Sequence, residues 1–218
     1  MIHLTHSSTS DEMWHKQPFA QCAGVCIVIP STDQEAALSL AQLLESRSGL
    51  PADQLAVVVV MDDAECGFIR IANRVFGVSR SAYFVYCAQD AFPGRYWLKL
   101  AIEAMLPKNA GLLGFNDGKW MGLLASFGMV RRDWASGNYP TGDLFLPEYQ
   151  SHYADTELTL IAMQQEMYAY NGNAVLVEVD WGKDRKKTNP QDKALFASRK
   201  QGGFGGLVTS EKLLAQFS

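Results

Sequence analysis

Four predicted strand ends carry the polar residues whose types and spacing could do chemistry: Pro30-Ser31, Asp62-Asp63, Gln89-Asp90 and Asn116-Asp117. Three consecutive ends bearing a carboxylate are more acid than solubility requires. Carboxylates gathered at one edge repel each other unless a cation or a donor stands among them. A divalent metal, a ribose diol or a base edge can each use such groups. The competing reading is that each Asp caps the helix after it. Farther along, Asp155 opens a helical pattern, with His152 three positions before it.

The elements that must place these residues follow from the hydrophobic pattern. GVCIVIPS, LAVVVVM, SAYFVYCA and GLLGFND are apolar runs without polar alternation, as expected of strands buried on both faces of a parallel sheet. Between them, Ala36 to Leu44, Phe68 to Phe76 and the run RYWLKLAIEAML carry helical spacing. Thr32 and Glu35 have capping-box spacing, with Asp33 adding charge at the helix start. The order strand–helix–strand–helix–strand–helix–strand, with right-handed crossovers, predicts an α/β three-layer sandwich around a mostly parallel central sheet. In such sheets ligands bind outside the carboxyl ends of the strands, which selects the four ends above. Residues 120–132 read as one strand or two, residues 133–152 as an irregular loop, Asp155 to Gln165 as a helix and AVLVEV as a last strand. Residues 1–22 read as a loose polar lead-in, 23–182 as the main domain, and 183–218 as a basic, glycine-rich tail packed on that domain. Within the tail, GGFGG reads as a flexible connector.

At 218 residues, 48% hydrophobic and 19% charged, the chain can bury a full core and is not a disordered polymer. The net charge of −4 argues against a protein that coats nucleic acid. Cys22, Cys26, Cys66 and Cys87 include no Cys-x-x-Cys pair and read as reduced, mostly buried thiols. With no apolar run near the ~20 residues of a membrane span, and no signal-peptide pattern, the expected location is cytoplasmic. Gly-x-Gly-x-x-Gly, the P-loop, Gly-x-Ser-x-Gly and His-Glu-x-x-His are all missing.

Four segments together resemble the GT-A nucleotide-sugar glycosyltransferases, in particular the family 2-like inverting enzymes: CIVIPS, VVVVMDD, ANRVFGVSRSAYFVYCAQDAFPGRYWL and HYADTELTLIAMQQEMYAY, spanning residues 24 to 180. The resemblance implies a GT-A-like fold. It also implies transfer of a sugar from a nucleoside diphosphate, with UDP the first choice, to an acceptor hydroxyl, inverting the transferred centre. A divalent cation, Mn²⁺ or Mg²⁺, would offset the charge of the leaving diphosphate. By the same resemblance Asp155 is the general base, and Pro30, Ser31, Asp62, Asp63, Asn73 and Gln89 face the nucleotide. Asp90 and Asp180 hold the metal, and Asn116, Asp117, Trp134, His152 and Glu157 face the acceptor or the sugar. A carboxylate at a helix start has its pKa lowered, so Asp155 needs desolvation to remain basic.

The sequence also departs from the family pattern. The metal motif is Gln89-Asp90-Ala91, with one carboxylate missing, and Glu178 or Asp180 is the nearest substitute after the last strand. Ala154 replaces the acid before the base. The 28-residue step from Asp62 to Asp90 is short and implies a missing strand–loop piece. Two other readings therefore stand beside the transferase: a degenerate domain that binds a nucleotide, glycan or protein without turnover, and a sugar nucleotidyltransferase. The latter usually has a glycine-rich basic loop, which PSTDQEA lacks. A glycan or a lipid-linked molecule is the expected acceptor. Lys183, Arg185, Lys186 and Lys187 form a basic run that could touch an anionic membrane peripherally.

Overall fold

A computed structural model describes residues 1–179 and 188–217. Asp180 and the basic run at Lys183 to Lys187 lie outside the described residues. The strands are β1 (Ile2–His6), β2 (Val25–Ser31), β3 (Leu55–Met61), β4 (Tyr83–Tyr86), β5 (Ala91–Pro93), β6 (Leu112–Asn116), β7 (Gly128–Arg131) and β8 (Tyr168–Glu178). The helices are α1 (Asp11–His15), α2 (Gln34–Arg47), α3 (Phe68–Val78), α4 (Trp97–Met105), α5 (Arg132–Ala135), α6 (Ala154–Gln164) and α7 (Pro190–Gln201), followed by the short α8 (Gly203–Gly206) and α9 (Glu211–Leu214).

The strands form one sheet in the order β1-β3-β2-β4-β7-β6-β8-β5. β1, β3, β2 and β4 run parallel, as do β6 and β8. β7 is antiparallel to both neighbours, and β5 is antiparallel to β8. Each strand alternates its residues between two cores. Cys26 and Val28 face α3, α6 and α7, whereas Val25, Ile27 and Ile29 face α2 and α4. The run Leu55 to Val60 is at most 2% exposed because both faces of β3 are covered. This is the three-layer α/β arrangement expected from the unalternating apolar runs.

The N-terminal segment corrects the expectation of a loose lead-in. Residues 2–6 pair in parallel with Val57 to Met61 and extend the sheet beyond β3. The short step between Asp62 and Asp90 leaves room for one helix and β4, and the chain's own N-terminus supplies the edge strand. The signal was hidden because three of the five residues of β1 (IHLTH) are polar and the strand lies at the edge of the sheet. Trp14 of α1 and Phe19 are fully buried, and the Arg74 guanidinium stacks 4.0 Å from the Trp14 ring. The GGFGG segment is also not a free connector. Phe204 is buried, and Gly203 (φ +59) approaches Val208 so closely that a Cβ would stand 2.4 Å from its carbonyl oxygen. At the start of α2, Asp33 rather than Thr32 is the cap, accepting from the Ala36 amide.

Because Trp14 is sealed between α1 and the sheet, Trp14→Ala is expected to destabilise the fold by about 3–5 kcal/mol. Chemical denaturation would read this directly. A loss under about 1 kcal/mol would return residues 1–22 to the status of an appendage.

Candidate active site

The carboxyl ends of β2, β3, β4 and β6 open onto one edge of the sheet. At the first three, backbone and side chains tie the predicted nucleotide residues together. The Asp62 amide donates to the Ser31 carbonyl at 2.8 Å. The Gln89 carboxamide oxygen accepts from the Ser31 hydroxyl and, at 3.1 Å, from the Thr32 amide. Pro30 sits one residue back, half-buried at the end of β2. The Asp62 carboxylate accepts from the Cys66 and Gly67 amides at 2.7 and 2.9 Å, which shapes the turn into α3. Ser31, Asp62 and Gln89 are thus adjacent.

Asp63 and Asn73 are drawn elsewhere. The Asp63 carboxylate takes donors from Ser7 and Ser8 and lies 3.2 Å from His6, tying the end of β1 down. Those hydrogen bonds hold its pKa below the usual carboxylate range. The Asn73 amide both accepts from and donates to the backbone of Phe145 at 2.9 Å, fastening the 143–147 loop to α3. Its amide oxygen and nitrogen are thus both engaged by the Phe145 backbone.

Beyond β4, the Asp90 carbonyl accepts from the Val179 amide at 3.0 Å, and Ala91 pairs with Glu178. The register therefore sets Asp90 beside the end of β8, where the sequence placed the substitute carboxylates Glu178 and Asp180. Among the described residues no cluster of three or more His, Cys, Asp or Glu side chains forms. A site of one or two carboxylates completed by phosphate oxygens and water suits Mg²⁺ or Mn²⁺ better than zinc.

Glu178 also lines a cavity of about 880 Å³, where Asp155, His152, Tyr86, Trp120 and Ser126 meet residues of α7. Asp117 supports it from below. Its carboxylate, 1% exposed, accepts from the Lys119 and Trp120 amides and the Ser126 hydroxyl, and its carbonyl accepts from the Glu178 amide. Asn116 braces the same turn through the Gly118 amide and the Gly172 carbonyl. His152 is half-exposed at the cavity mouth, 3.9 Å from the buried Asp192.

Asp155 lies in the first turn of α6, after Tyr153 in a left-handed conformation (φ 68). Its carboxylate accepts from the Thr156 amide at 2.8 Å. That bond and the helix start favour the charged form, yet burial outweighs them and raises the pKa to about 6, with a smaller push from Asp117. The desolvation that the sequence argument required is therefore present. Near pH 7 the group is a carboxylate whose proton affinity is close to ambient pH, as a general base needs.

Two predicted acceptor residues are structural instead. The Glu157 carboxylate, with no exposure, is bound by the Arg199 guanidinium at 2.6 and 2.8 Å and by the Tyr139 and Tyr149 hydroxyls. Two residues from Asp155 on a helix, it points toward the core rather than the cavity. Trp134 packs under Gly111, where a Cβ would stand 2.2 Å from its ring, and donates its indole N–H to Gln165 at 2.6 Å. Tyr139 and Tyr149, which follow Trp134 in the chain, are buried with Glu157. Conversely, Tyr86, Ser126 and Phe217 line the cavity and carried no motif by which sequence reasoning could find them. Tyr86 is an apolar strand residue by pattern; its hydroxyl donates to the Ala125 carbonyl at 2.8 Å.

Two stability measurements follow. Glu157→Ala strands the Arg199 guanidinium and is expected to cost about 3–5 kcal/mol in a denaturant titration; a near-neutral result would mean that α7 is not held by this pair. For Asp155 the folded-state pKa of about 6 lies above the ordinary aspartate value of 3.8. The folded state therefore binds this proton more tightly, and the associated stability is lost as pH rises from about 4 to 6. Asp155→Asn removes that penalty and is expected to stabilise the protein by about 2–3 kcal/mol at pH 7.5, and by little at pH 4. Melting curves of both proteins across that range would show a widening gap; parallel curves would mean an ordinary carboxylate.

No protein-family model matches the chain, and no curated protein sequence does. Solved structures do. S. aureus TarS 1-349 superposes with a TM-score of 0.60 at 14% identity, covering 89% of this chain and 70% of that one. This chain spans only 39% of the longer TarS structure. The mannosyltransferase PcManGT from Pyrobaculum calidifontis, in complex with GDP-Man and Mn²⁺, gives 0.55 at 12% identity, covering 94% and 83%. Glucosyl-3-phosphoglycerate synthase from Mycobacterium tuberculosis, in complex with Mg²⁺ and UDP, gives 0.52 at 11%, covering 96% and 88%. The chain therefore has the GT-A glycosyltransferase fold.

Proposed function

We propose that the chain is a glycosyltransferase that moves a sugar from a nucleoside diphosphate, UDP first, to an acceptor hydroxyl with inversion. The observation that carries this reading is Asp155: a carboxylate with its pKa raised to about 6, on the wall of an 880 Å³ cavity at the carboxyl edge of a GT-A sheet. Support for the donor side comes from Ser31, Asp62 and Gln89, drawn together at the ends of β2, β3 and β4. The neighbouring structures that hold UDP or GDP-Man with Mg²⁺ or Mn²⁺ agree with it.

In this reading the nucleoside lies against Pro30, Ser31 and Asp62, and the diphosphate reaches toward Asp90. Asp90, with Glu178 or Asp180, would hold a divalent cation whose charge offsets that of the leaving diphosphate. The acceptor enters the cavity with its hydroxyl near Asp155. Asp155 takes the proton as the oxygen attacks the anomeric carbon, and the bond to the diphosphate breaks on the opposite face. Burial of the carboxylate keeps it basic, and Tyr86 lines the same cavity. His152 stands at the mouth to orient the acceptor. Asn116 and Asp117 act indirectly, by shaping the turn that carries Trp120. Asn73, Asp63, Glu157 and Trp134 have no part in the chemistry.

One observation favours a binding domain without turnover. Gln89 stands in the expected metal motif with its carboxamide oxygen already accepting from Ser31 and Thr32. Titration with UDP, GDP and dTDP, each with and without Mn²⁺, followed by melting temperature, separates the readings. Ligand at 100 times its Kd adds about 2.7 kcal/mol, and one nucleotide strengthened by Mn²⁺ is the expected result. In donor turnover assays, Asp155→Asn is expected to lose ~10²-fold or more in kcat with nucleotide binding intact. Normal turnover by that variant removes Asp155 as the base. Nucleotide binding with no turnover by the parent protein supports the binding domain.

A further inference from the structure

We infer that the rim of the Asp155 cavity docks on an anionic lipid surface through the turn at Trp120 to Leu123. The turn is closed by the Leu123 amide donating to the Trp120 carbonyl at 2.9 Å, and its two central residues are Met121 (φ 48) and Gly122 (φ 85). Positive φ at both positions is the pattern that favours Asn-Gly. Methionine there is strained and gains no burial in return, since Met121 is 69% exposed. Neither backbone preference nor packing explains an apolar side chain at that tip. Leu123, 57% exposed, follows it.

The turn is fixed rather than free. Gly122 lies flat on the Tyr170 ring of β8, where a Cβ would stand 2.5 Å from the ring. Val179, 59% exposed, extends the apolar surface: the Glu178 amide before it bonds the Asp117 carbonyl at the base of the turn. Met121, Leu123 and Val179 are thus exposed apolar side chains on the two segments that bring Trp120, Leu124 and Glu178 to the cavity wall. Trp120 and Phe217 pack edge to face behind them, with ring centroids 6.4 Å apart.

The charge at this opening suits lipid phosphate. Among the described residues that line the cavity, the lysines are Lys119, Lys193 and Lys200 and the carboxylates are Asp155 and Glu178. Lys119 lies 5.3 Å from the Trp120 ring and Lys200 bonds the Phe217 carbonyl, so these cations are held at the apolar rim. Apolar side chains that enter the interface, with lysines reaching phosphate, are the two signals that together give reversible membrane binding. No helix among the described residues is long and apolar enough to cross a membrane, so the contact is peripheral. Docking in this way brings Asp155 to a lipid-linked acceptor; that consequence rests on the transferase reading, whereas docking itself does not.

The test is co-sedimentation of the full chain with vesicles of phosphatidylcholine and phosphatidylserine (about 70:30) and of phosphatidylcholine alone, in 0.1 M salt. Binding to the anionic vesicles is expected, weakened at 0.5 M salt. Met121→Asn with Leu123→Ser should reduce the partition coefficient about tenfold or more. Met121→Asn suits the turn better than methionine, so its melting temperature should be equal or higher, which separates lost docking from lost folding. Absence of binding to anionic vesicles, or equal binding by the double variant, overturns the inference. So does a double variant that changes only the self-association of the chain. Nucleotide titration of the same samples reads the transferase site independently, so either reading can fail alone.

Discussion

A carboxylate with no exposure at Glu157 governs how the cavity is built. Removing a charge from water costs several kcal/mol unless partners replace the lost hydration, and Glu157 recruits three: Arg199 from α7 and the Tyr139 and Tyr149 hydroxyls from the long loop. Those partners come from separate stretches of chain, so their convergence fixes the loop and α7 against the start of α6. Asp192 repeats the device at the other end of α7. It is 1% exposed and accepts from the Gln150, Ser151 and His152 amides. Two buried acids thus hold the cavity's α7 wall, and Asp155 occupies the turn between the elements they join.

Asp155 and Glu157, two residues apart in the first turn of α6, have opposite surroundings. Both are acids at the start of α6. Glu157 is surrounded by donors and satisfied, whereas Asp155 has Thr156 and otherwise faces Tyr86 and the cavity. Its desolvation is a local instability, which raises its proton affinity toward neutral pH. A fold that tolerates such a group needs stability elsewhere, and the two cores on either face of the sheet provide it.

Much of the fold was legible because a strand buried on both faces leaves an unmistakable run, as in LAVVVVM, and because α3 keeps strict helical spacing. The edge strand β1 was not legible, since a strand at the edge of a sheet and polar at three of its five positions resembles a loop. In the candidate site, the places of Asp155 at a helix start and of Asp62 and Gln89 at strand ends were legible in the sequence, whereas their surroundings were not. Glu157, Trp134 and Asn73 were misplaced for a common reason. A polar or aromatic residue near a motif looks functional until the partner that satisfies it, such as Arg199, 42 residues away, is known.

The amino-acid sequence by itself determined the layers, the polar edge and the acid that opens α6, because local periodicity and strand-end position are properties of neighbours along the chain. Only the tertiary structure decided which acids face the cavity, that the N-terminus completes the sheet, and that α7 and Phe217 border the site. Those outcomes depend on burial and on pairing between residues far apart in sequence, and a side chain's proton affinity or structural role follows from what surrounds it in space.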